Sequence, residues 1–190
     1  MTKKRVAVLI SGGGSNLQAL IDAASAADYP AEIVLVLSNQ PDAYGIKRAE
    51  TAGIATSVIS HKDFIKREAF DRAVSEMLEA YNVEIVCLAG FMRVLSEWFV
   101  LRWNKKLLNI HPSLLPKFKG VDTHARALEA GETEAGCTVH WVSLEVDAGE
   151  ILAQKSVPIL ADDTTETLAA RVLEQEHIIY PQVLKSICLQ

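Results

Sequence analysis

The sequence predicts an α/β fold: a Rossmann-like, mostly parallel twisted sheet with helices on both faces and antiparallel pairing in the C-terminal half. Three observations predict it. Short apolar runs alternate with longer amphipathic stretches through the first half, as strand–helix units wound onto a parallel sheet do. A glycine-rich turn, Gly12-Gly13-Gly14, joins the first apolar run to the first amphipathic stretch. In the second half, two apolar runs flank the Ser143–Glu150 loop, and adjacent strands joined by a moderate loop favour antiparallel pairing.

In chain order, Arg5–Ile10, Glu32–Leu37, Ala55–Ile59, Glu84–Leu88 and Leu107–Ile110 read as strands. Asn16–Ala26, Ala43–Ala52, Lys66–Tyr81 and Ser96–Trp103 read as the intervening helices. Gly53 fits a helix C-terminus and Asp63 a helix start. Thr138–Val142 and Ile151–Pro158 are the later strands, and Thr164–Ser186 is largely helical. No repeat or flexible linker interrupts the chain, so residues 1–190 are expected to form one domain.

The bulk properties narrow the class. With 190 residues, 49% hydrophobic and 23% charged, the chain has the balance of a globular protein able to bury a substantial core. A net charge of −5 argues against a general nucleic-acid binder. It leaves room for anionic small molecules, which a few cations and backbone N–H groups can hold. Cys87, Cys137 and Cys188 are far apart and form no CxxC pair, the usage of a reducing compartment. Lys3-Lys4-Arg5 before Val6–Ile10 imitates a signal peptide, but the apolar run is too short. No run reaches the roughly 20 residues of a membrane span. The expected compartment is the cytoplasm, without membrane or nucleic-acid partners.

The turn Gly12-Gly13-Gly14-Ser15-Asn16 admits two readings. Glycines there let backbone N–H groups approach a phosphate at a helix N-terminus; alternatively, the turn is only a helix start capped by Ser15 or Asn16. Two nucleotide patterns fail. A dinucleotide fingerprint would need Gly at Leu17 and an acid where Ser38-Asn39 stand, and no Gly-Lys-Ser/Thr follows for a P-loop. A single phosphate monoester suits the turn better than a dinucleotide.

The most informative stretch is Leu107-Leu108-Asn109-Ile110-His111-Pro112-Ser113-Leu114-Leu115-Pro116. Leu107–Ile110 reads as a short buried strand that Pro112 stops. Side chains alternate along a strand, so Asn109 and His111 project to one side. That places an amide donor beside a titratable imidazole at a strand's carboxyl end, where open α/β sheets bind ligands. Acyl transfer to an amine needs a donor for the developing oxyanion and a group to move protons. A neutral amine is already a good nucleophile, so no covalent intermediate is required. The five histidines, His61, His111, His124, His140 and His177, show no His-x-x-x-His spacing and no HExxH, so no metal site is expected. Ser11–Ser15 forms no G-x-S-x-G elbow for a serine hydrolase.

Four segments together resemble the folate-dependent formyltransferases. They are Ile10-Ser11-Gly12-Gly13-Gly14-Ser15-Asn16-Leu17-Gln18, Leu88-Ala89-Gly90-Phe91-Met92-Arg93, the Asn109–Pro116 run, and Val146-Asp147-Ala148-Gly149. The resemblance spans Val6 to Pro181. It implies formyl transfer from 10-formyltetrahydrofolate, as co-substrate and without metal, to the amine of glycinamide ribonucleotide in purine biosynthesis. It implies Asn109, His111 and Asp147 as the catalytic set, with the Asp147 carboxylate favouring the charged form of His111. By the same resemblance, Gly14, Ser15 and Asn16 hold the ribonucleotide phosphate, and Glu176 recognises the amine or ribose region. The folate would lie against Arg67, Met92, Arg93, Val94, Leu95, Asn109, Ser143, Leu144, Glu145, Val146 and Asp147. His140 is expected to line the pocket without an assigned role.

Leu144, Glu150 and Leu173 depart from the family pattern, where an acid, a proline and a polar residue are usual. Family members acting on aminoacylated tRNA would carry a further C-terminal domain, and formyltetrahydrofolate deformylases an N-terminal regulatory one. The remaining alternative is a non-catalytic nucleotide or folate sensor, which the presence of Asn109, His111 and Asp147 disfavours. The expected assembly is a monomer or homodimer.

Overall fold

Every apolar run of the first half is a strand in the computed structural model, which describes residues 2–190. These strands are β1 (Lys4–Ile10), β2 (Ala31–Ser38), β3 (Thr56–Val58), β4 (Ile85–Leu88) and β5 (Leu107–His111). Between them lie α1 (Ser15–Ala24), α2 (Tyr44–Thr51), α3 (Arg67–Ala80) and α4 (Glu97–Arg102). The rest comprises α5 (Thr123–Glu129), β6 (Glu134–Trp141), β7 (Ile151–Pro158) and α6 (Thr165–Cys188). One seven-stranded sheet results, in the order β3-β2-β1-β4-β5-β6-β7. The pairs among β1 to β5 are parallel, whereas β5–β6 and β6–β7 are antiparallel.

Strand alternation divides the core. Val6, Val8 and Ile10 join a cluster with Leu17, Leu20, Leu168, Val172 and Tyr180, from α1 and α6. Ala7 and Leu9 face the other way, onto Phe70, Val74, Leu78 and Phe99 of α3 and α4. Both faces of the central strands are therefore covered, and the strands read as continuous apolar runs. The Tyr180 hydroxyl lies 3.0 Å from the Leu88 carbonyl and 3.2 Å from that of Leu108, bracing β4 against β5 just before Asn109.

Gly53 ends α2 as expected: its φ of +71° is the left-handed conformation that helix ends assign to glycine. Asp63 does not start a helix. Ser60 instead caps a 3-10 turn over His61–Asp63, its Oγ accepting from Lys62 N at 3.3 Å, and α3 begins only at Arg67. The short helix α5 was not legible in the sequence. β6 also begins at Glu134, ahead of the expected Thr138, and runs through Gly136. A Cβ at Gly136 would strike the Lys155 carbonyl on β7 and come within 2.7 Å of Leu114 Cδ2. Among the described residues, no helix is long and apolar enough to cross a membrane.

Candidate active site

The order of the strands places the site. The sheet runs β1 to β2 to β3 in one direction and β4 to β5 in the other, so the switch point lies between β1 and β4, where open α/β sheets bind ligands. The glycine turn leaves β1 here, and Asn109 and His111 end β5, two strand spacings or about 10 Å away.

Leu107 belongs to the cluster beneath α3 and α4, so by alternation Asn109 and His111 project on that same face. β6 pairs antiparallel with β5, and its register sets His140 opposite Asn109. Asn109 Nδ2 lies 3.2 Å from His140 Nε2, while His140 Nδ1 lies 2.9 Å from the Trp141 carbonyl. A carbonyl can only accept, so His140 Nδ1 carries the proton and Nε2 accepts from Asn109. Burial pushes the His140 pKa below its usual value, against the opposing pull of Trp141 and Asp147, which keeps the ring neutral. The 3.8 Å approach of Asp147 Oδ1 to His140 Nε2 is then a meeting of two acceptors, not an ion pair. Asn109 spends one amide hydrogen on His140 and keeps the other.

Asp147 reaches His111 because its loop doubles back over the sheet. Trp141 N donates to the Glu150 carbonyl at 2.9 Å, closing the loop. A Cβ on Gly149 would strike the Trp141 carbonyl and its carbon, so only glycine allows that closure. Asp147 itself has φ +51°. Its Oδ2 accepts from Gly120 N at 2.9 Å and lies 3.4 Å from His111 Nδ1, with both side chains at most 10% exposed. His111 Nε2 lies 3.0 Å from the Phe118 carbonyl. An acceptor faces each ring nitrogen, and only the doubly protonated ring donates to both.

The Phe118–Gly120 segment completes the site, a contribution that short-range sequence patterns did not reveal. Lys119 pairs with Glu145 at 2.8 Å, tying this segment to the Asp147 loop. Behind it, a cavity of about 440 Å³ is lined by Pro112, Phe118, His124 and Gln154, but not by Asn109, His111 or Asp147.

Gly14 adopts φ +72° and forms the N-cap of α1 without a side-chain cap, so neither Ser15 nor Asn16 caps the helix. Its Cα side packs against Gly45 Cα, which a Cβ would approach to 2.8 Å. The first intrahelical bond is Gln18 N to the Gly14 carbonyl, leaving the N–H groups of Ser15, Asn16 and Leu17 without intrahelical acceptors. The Asn16 side chain turns instead to Glu176, Nδ2 donating to Oε2 at 2.6 Å. Glu176 is buried rather than an exposed helix residue, and burial raises its pKa, partly offset by Asn16. Leu173, one turn earlier on α6, is half-buried.

The residues expected at the folate fall into two exposed loops, one helix start and, for Asn109, the end of β5. Met92 and Val94 are exposed, as are Leu144 and Val146. Leu95 and Val142 pack on the same cluster, so the two loops rise from the face that carries Asn109 and His111. The guanidinium carbon of Arg93 lies 5.8 Å from the Phe70 ring centroid, and its buried Nε has no hydrogen-bond partner. Arg67 is exposed at the first position of α3. Ser143 Oγ donates to the Glu145 carbonyl at 2.8 Å, shaping the second loop. Glu150 serves this loop through its backbone carbonyl, so a departure from proline there leaves the closure intact.

Fold and site define a doubly wound α/β protein with a polar cluster of Asn109, His111, His140 and Asp147 at the end of β5. The chain belongs to the formyl transferase family, whose pattern matches residues 4–184. It is 55% identical over 185 residues to the trifunctional purine biosynthetic protein adenosine-3 of Bos taurus, covering 97% of this chain and only 18% of that protein. It is 48% identical over 179 residues to phosphoribosylglycinamide formyltransferase of Escherichia coli strain K12, covering 94% of this chain and 84% of that one. A crystal structure of phosphoribosylglycinamide formyltransferase from Brucella melitensis superposes with a TM-score of 0.95 at 52% identity, covering 100% of this chain and 97% of that one.

Proposed function

We propose that the protein transfers the formyl group of 10-formyltetrahydrofolate to the amine of glycinamide ribonucleotide, giving formylglycinamide ribonucleotide and tetrahydrofolate in purine biosynthesis. The observation that carries this reading is the His111–Asp147 contact at the end of β5, on the face where His140 orients Asn109, one strand beyond the switch point that bears the glycine turn. The names of the relatives support formyl transfer to phosphoribosylglycinamide.

In this reading the ribonucleotide phosphate takes the free N–H groups after Gly14, including those of Ser15 and Asn16, and Glu176 receives the ribose or amine region. The folate's flat ring lies between Met92–Leu95 and Ser143–Asp147, where apolar walls with backbone hydrogen-bonding groups suit a heterocycle. Arg67 stands ready for the donor's carboxylates. The neutral amine attacks the formyl carbon, and the carbonyl oxygen becomes an oxyanion. Asn109 donates its remaining amide hydrogen to it. Protonated His111 donates as well, the oxyanion taking the place of the Phe118 carbonyl at Nε2. Collapse breaks the bond from the formyl carbon to the folate nitrogen. The proton lost by the attacking amine ends on that nitrogen, relayed through His111 and Asp147 or a bound water. No step requires a metal or nicotinamide. We read residues 1–190 as one cytoplasmic domain, monomeric or homodimeric.

The test is direct. Purified protein given both substrates, without added metal, should form formylglycinamide ribonucleotide by mass spectrometry and an equal amount of tetrahydrofolate. Release of formate without transfer to the amine, or no product from well-folded protein, would overturn the reading.

A further inference from the structure

We infer that Ser11 and Asn39 are positioning residues that hold the backbone of Met92 in the wall of the folate subsite. The inference rests on the proposed reading of Met92–Leu95 as that wall. Ser11 follows β1 and Asn39 follows β2, so both stand at the strand ends beside the switch point. Asn39 is 1% exposed, an unusual place for an amide unless its hydrogen bonds are made.

They are made through a chain of three contacts. Met92 N donates to Ser11 Oγ at 2.8 Å, which obliges the Ser11 hydroxyl to turn its own hydrogen elsewhere. That hydrogen goes to Asn39 Oδ1 at 2.5 Å. With its oxygen so fixed, Asn39 points Nδ2 at His61 Nδ1, 3.1 Å away in the 3-10 turn before α3. His61 Nδ1 also lies 3.4 Å from the Asn39 backbone carbonyl, so the 3-10 turn packs on Asn39 while Asn39 holds the Ser11 hydroxyl beneath Met92 N.

The anchored position matters because of its neighbours. Phe91 is buried in the core at 9% exposure, whereas the Met92 and Val94 side chains are 72% and 53% exposed. Core packing holds the segment on one side and the Ser11 hydroxyl holds it on the other, leaving apolar side chains presented at a fixed height. A backbone held before the ligand arrives loses less entropy on binding. Ser11 also immediately precedes Gly12–Gly14, so one hydroxyl joins the two loops proposed to hold the two substrates.

Removing the hydroxyl tests this. In Ser11→Ala, exchange of the Met92 amide hydrogen should quicken about tenfold. The KM for 10-formyltetrahydrofolate should rise about fivefold, the size of one neutral hydrogen bond, while kcat and the ribonucleotide KM move less than twofold. Ser11→Thr, which keeps the hydroxyl, should restore both readouts. Asn39→Leu should reproduce the alanine result, and Asn39→Asp, which still accepts from Ser11, should lie closer to the unaltered protein. Unchanged Met92 exchange, or equal rises in both KM values, would overturn the inference. Tetrahydrofolate titration separates the two failures. If the unaltered protein binds none, the proposed function falls and the inference with it. If it binds and all variants bind equally, only the inference falls.

Discussion

Asn16 Nδ2 donates to Glu176 Oε2 at 2.6 Å, joining the first turn of α1 to the middle of α6 across 160 residues of sequence. The contact uses the amide that phosphate binding would otherwise claim, and it leaves Asn16 Oδ1 buried without a partner. Phosphate contact in the proposed site therefore falls to the backbone N–H groups. The Asn16–Glu176 pair is better suited to hydroxyl or amine groups farther along the ribonucleotide.

Glu176→Gln should raise the ribonucleotide KM about tenfold or more, the scale of a charge-assisted hydrogen bond, with a smaller effect on kcat. It should also change the pH dependence of stability. Burial raises the Glu176 pKa from 4.5, so the folded chain binds this proton more tightly than the unfolded chain. Wild-type stability then falls as pH rises from 4.5 through the folded value. Glutamine has no proton to lose, so the variant should gain on the wild type across that window. Denaturant unfolding at a series of pH values measures the difference.

Asn109→Ala removes the oxyanion donor and should lower kcat on the order of 10²-fold, with little change in either KM. His140→Ala leaves Asn109 without the partner at 3.2 Å that orients it, and should lower kcat about tenfold. If His140 acts through Asn109, the double variant should be no slower than Asn109→Ala alone. Steady-state kinetics of the three proteins decides the matter, and multiplied losses would show an independent role for His140.

Acid should weaken the fold through its histidines. Burial depresses the pKa values of His124, His140 and His177 below 6.5. Between 6.5 and each depressed value, the unfolded chain binds a proton that the folded chain does not. Stability present at neutral pH is therefore lost as pH falls through that window. Asp71, whose pKa burial raises from 3.8, acts in the opposite sense at lower pH, as Glu176 does. His140→Gln isolates one contribution. Its melting temperature should fall less steeply than that of the wild type between pH 6.5 and 5.5, and parallel curves would contradict the neutral assignment of His140.

The parts of this site legible in the sequence are those that local periodicity controls. Asn109 and His111 share a face because they are two residues apart on one strand, and the glycine turn follows an apolar run into a helix. Asp147 was reached only through the family resemblance, since nothing local says that its loop doubles back. Gly149 enforces that return by its approach to the Trp141 carbonyl, a contact made by backbone rather than by pattern. His140 went without a role because the register that sets it against Asn109 is a property of β5–β6 pairing. The onset of β6 was masked by Gly136, a poor strand former kept for its closeness to β7. Helix α5 has only seven residues, too few for apolar periodicity to declare itself.

The last prediction concerns Asp147→Asn. The substitution keeps the shape of the side chain, and its amide oxygen can still accept from Gly120 N, now at 2.9 Å from Oδ2. It replaces the carboxylate oxygen 3.4 Å from His111 Nδ1 with an uncharged amide, a weaker acceptor for a ring N–H. Without a carboxylate to accept from Nδ1, the His111 ring is held less firmly toward the reacting carbonyl, and kcat should fall by about 10² or more as donation to the oxyanion weakens. Ribonucleotide binding at Gly14, Ser15 and Asn16 should survive, since that turn lies across β4 from the loop. Nitrogen NMR of the His111 ring reports its hydrogen bonding, and calorimetric titration with ribonucleotide reports binding. Near-normal turnover with an unchanged His111 spectrum would remove Asp147 from the proton relay. Loss of ribonucleotide binding together with a lowered melting temperature would instead make Asp147 chiefly the clasp that holds Gly120.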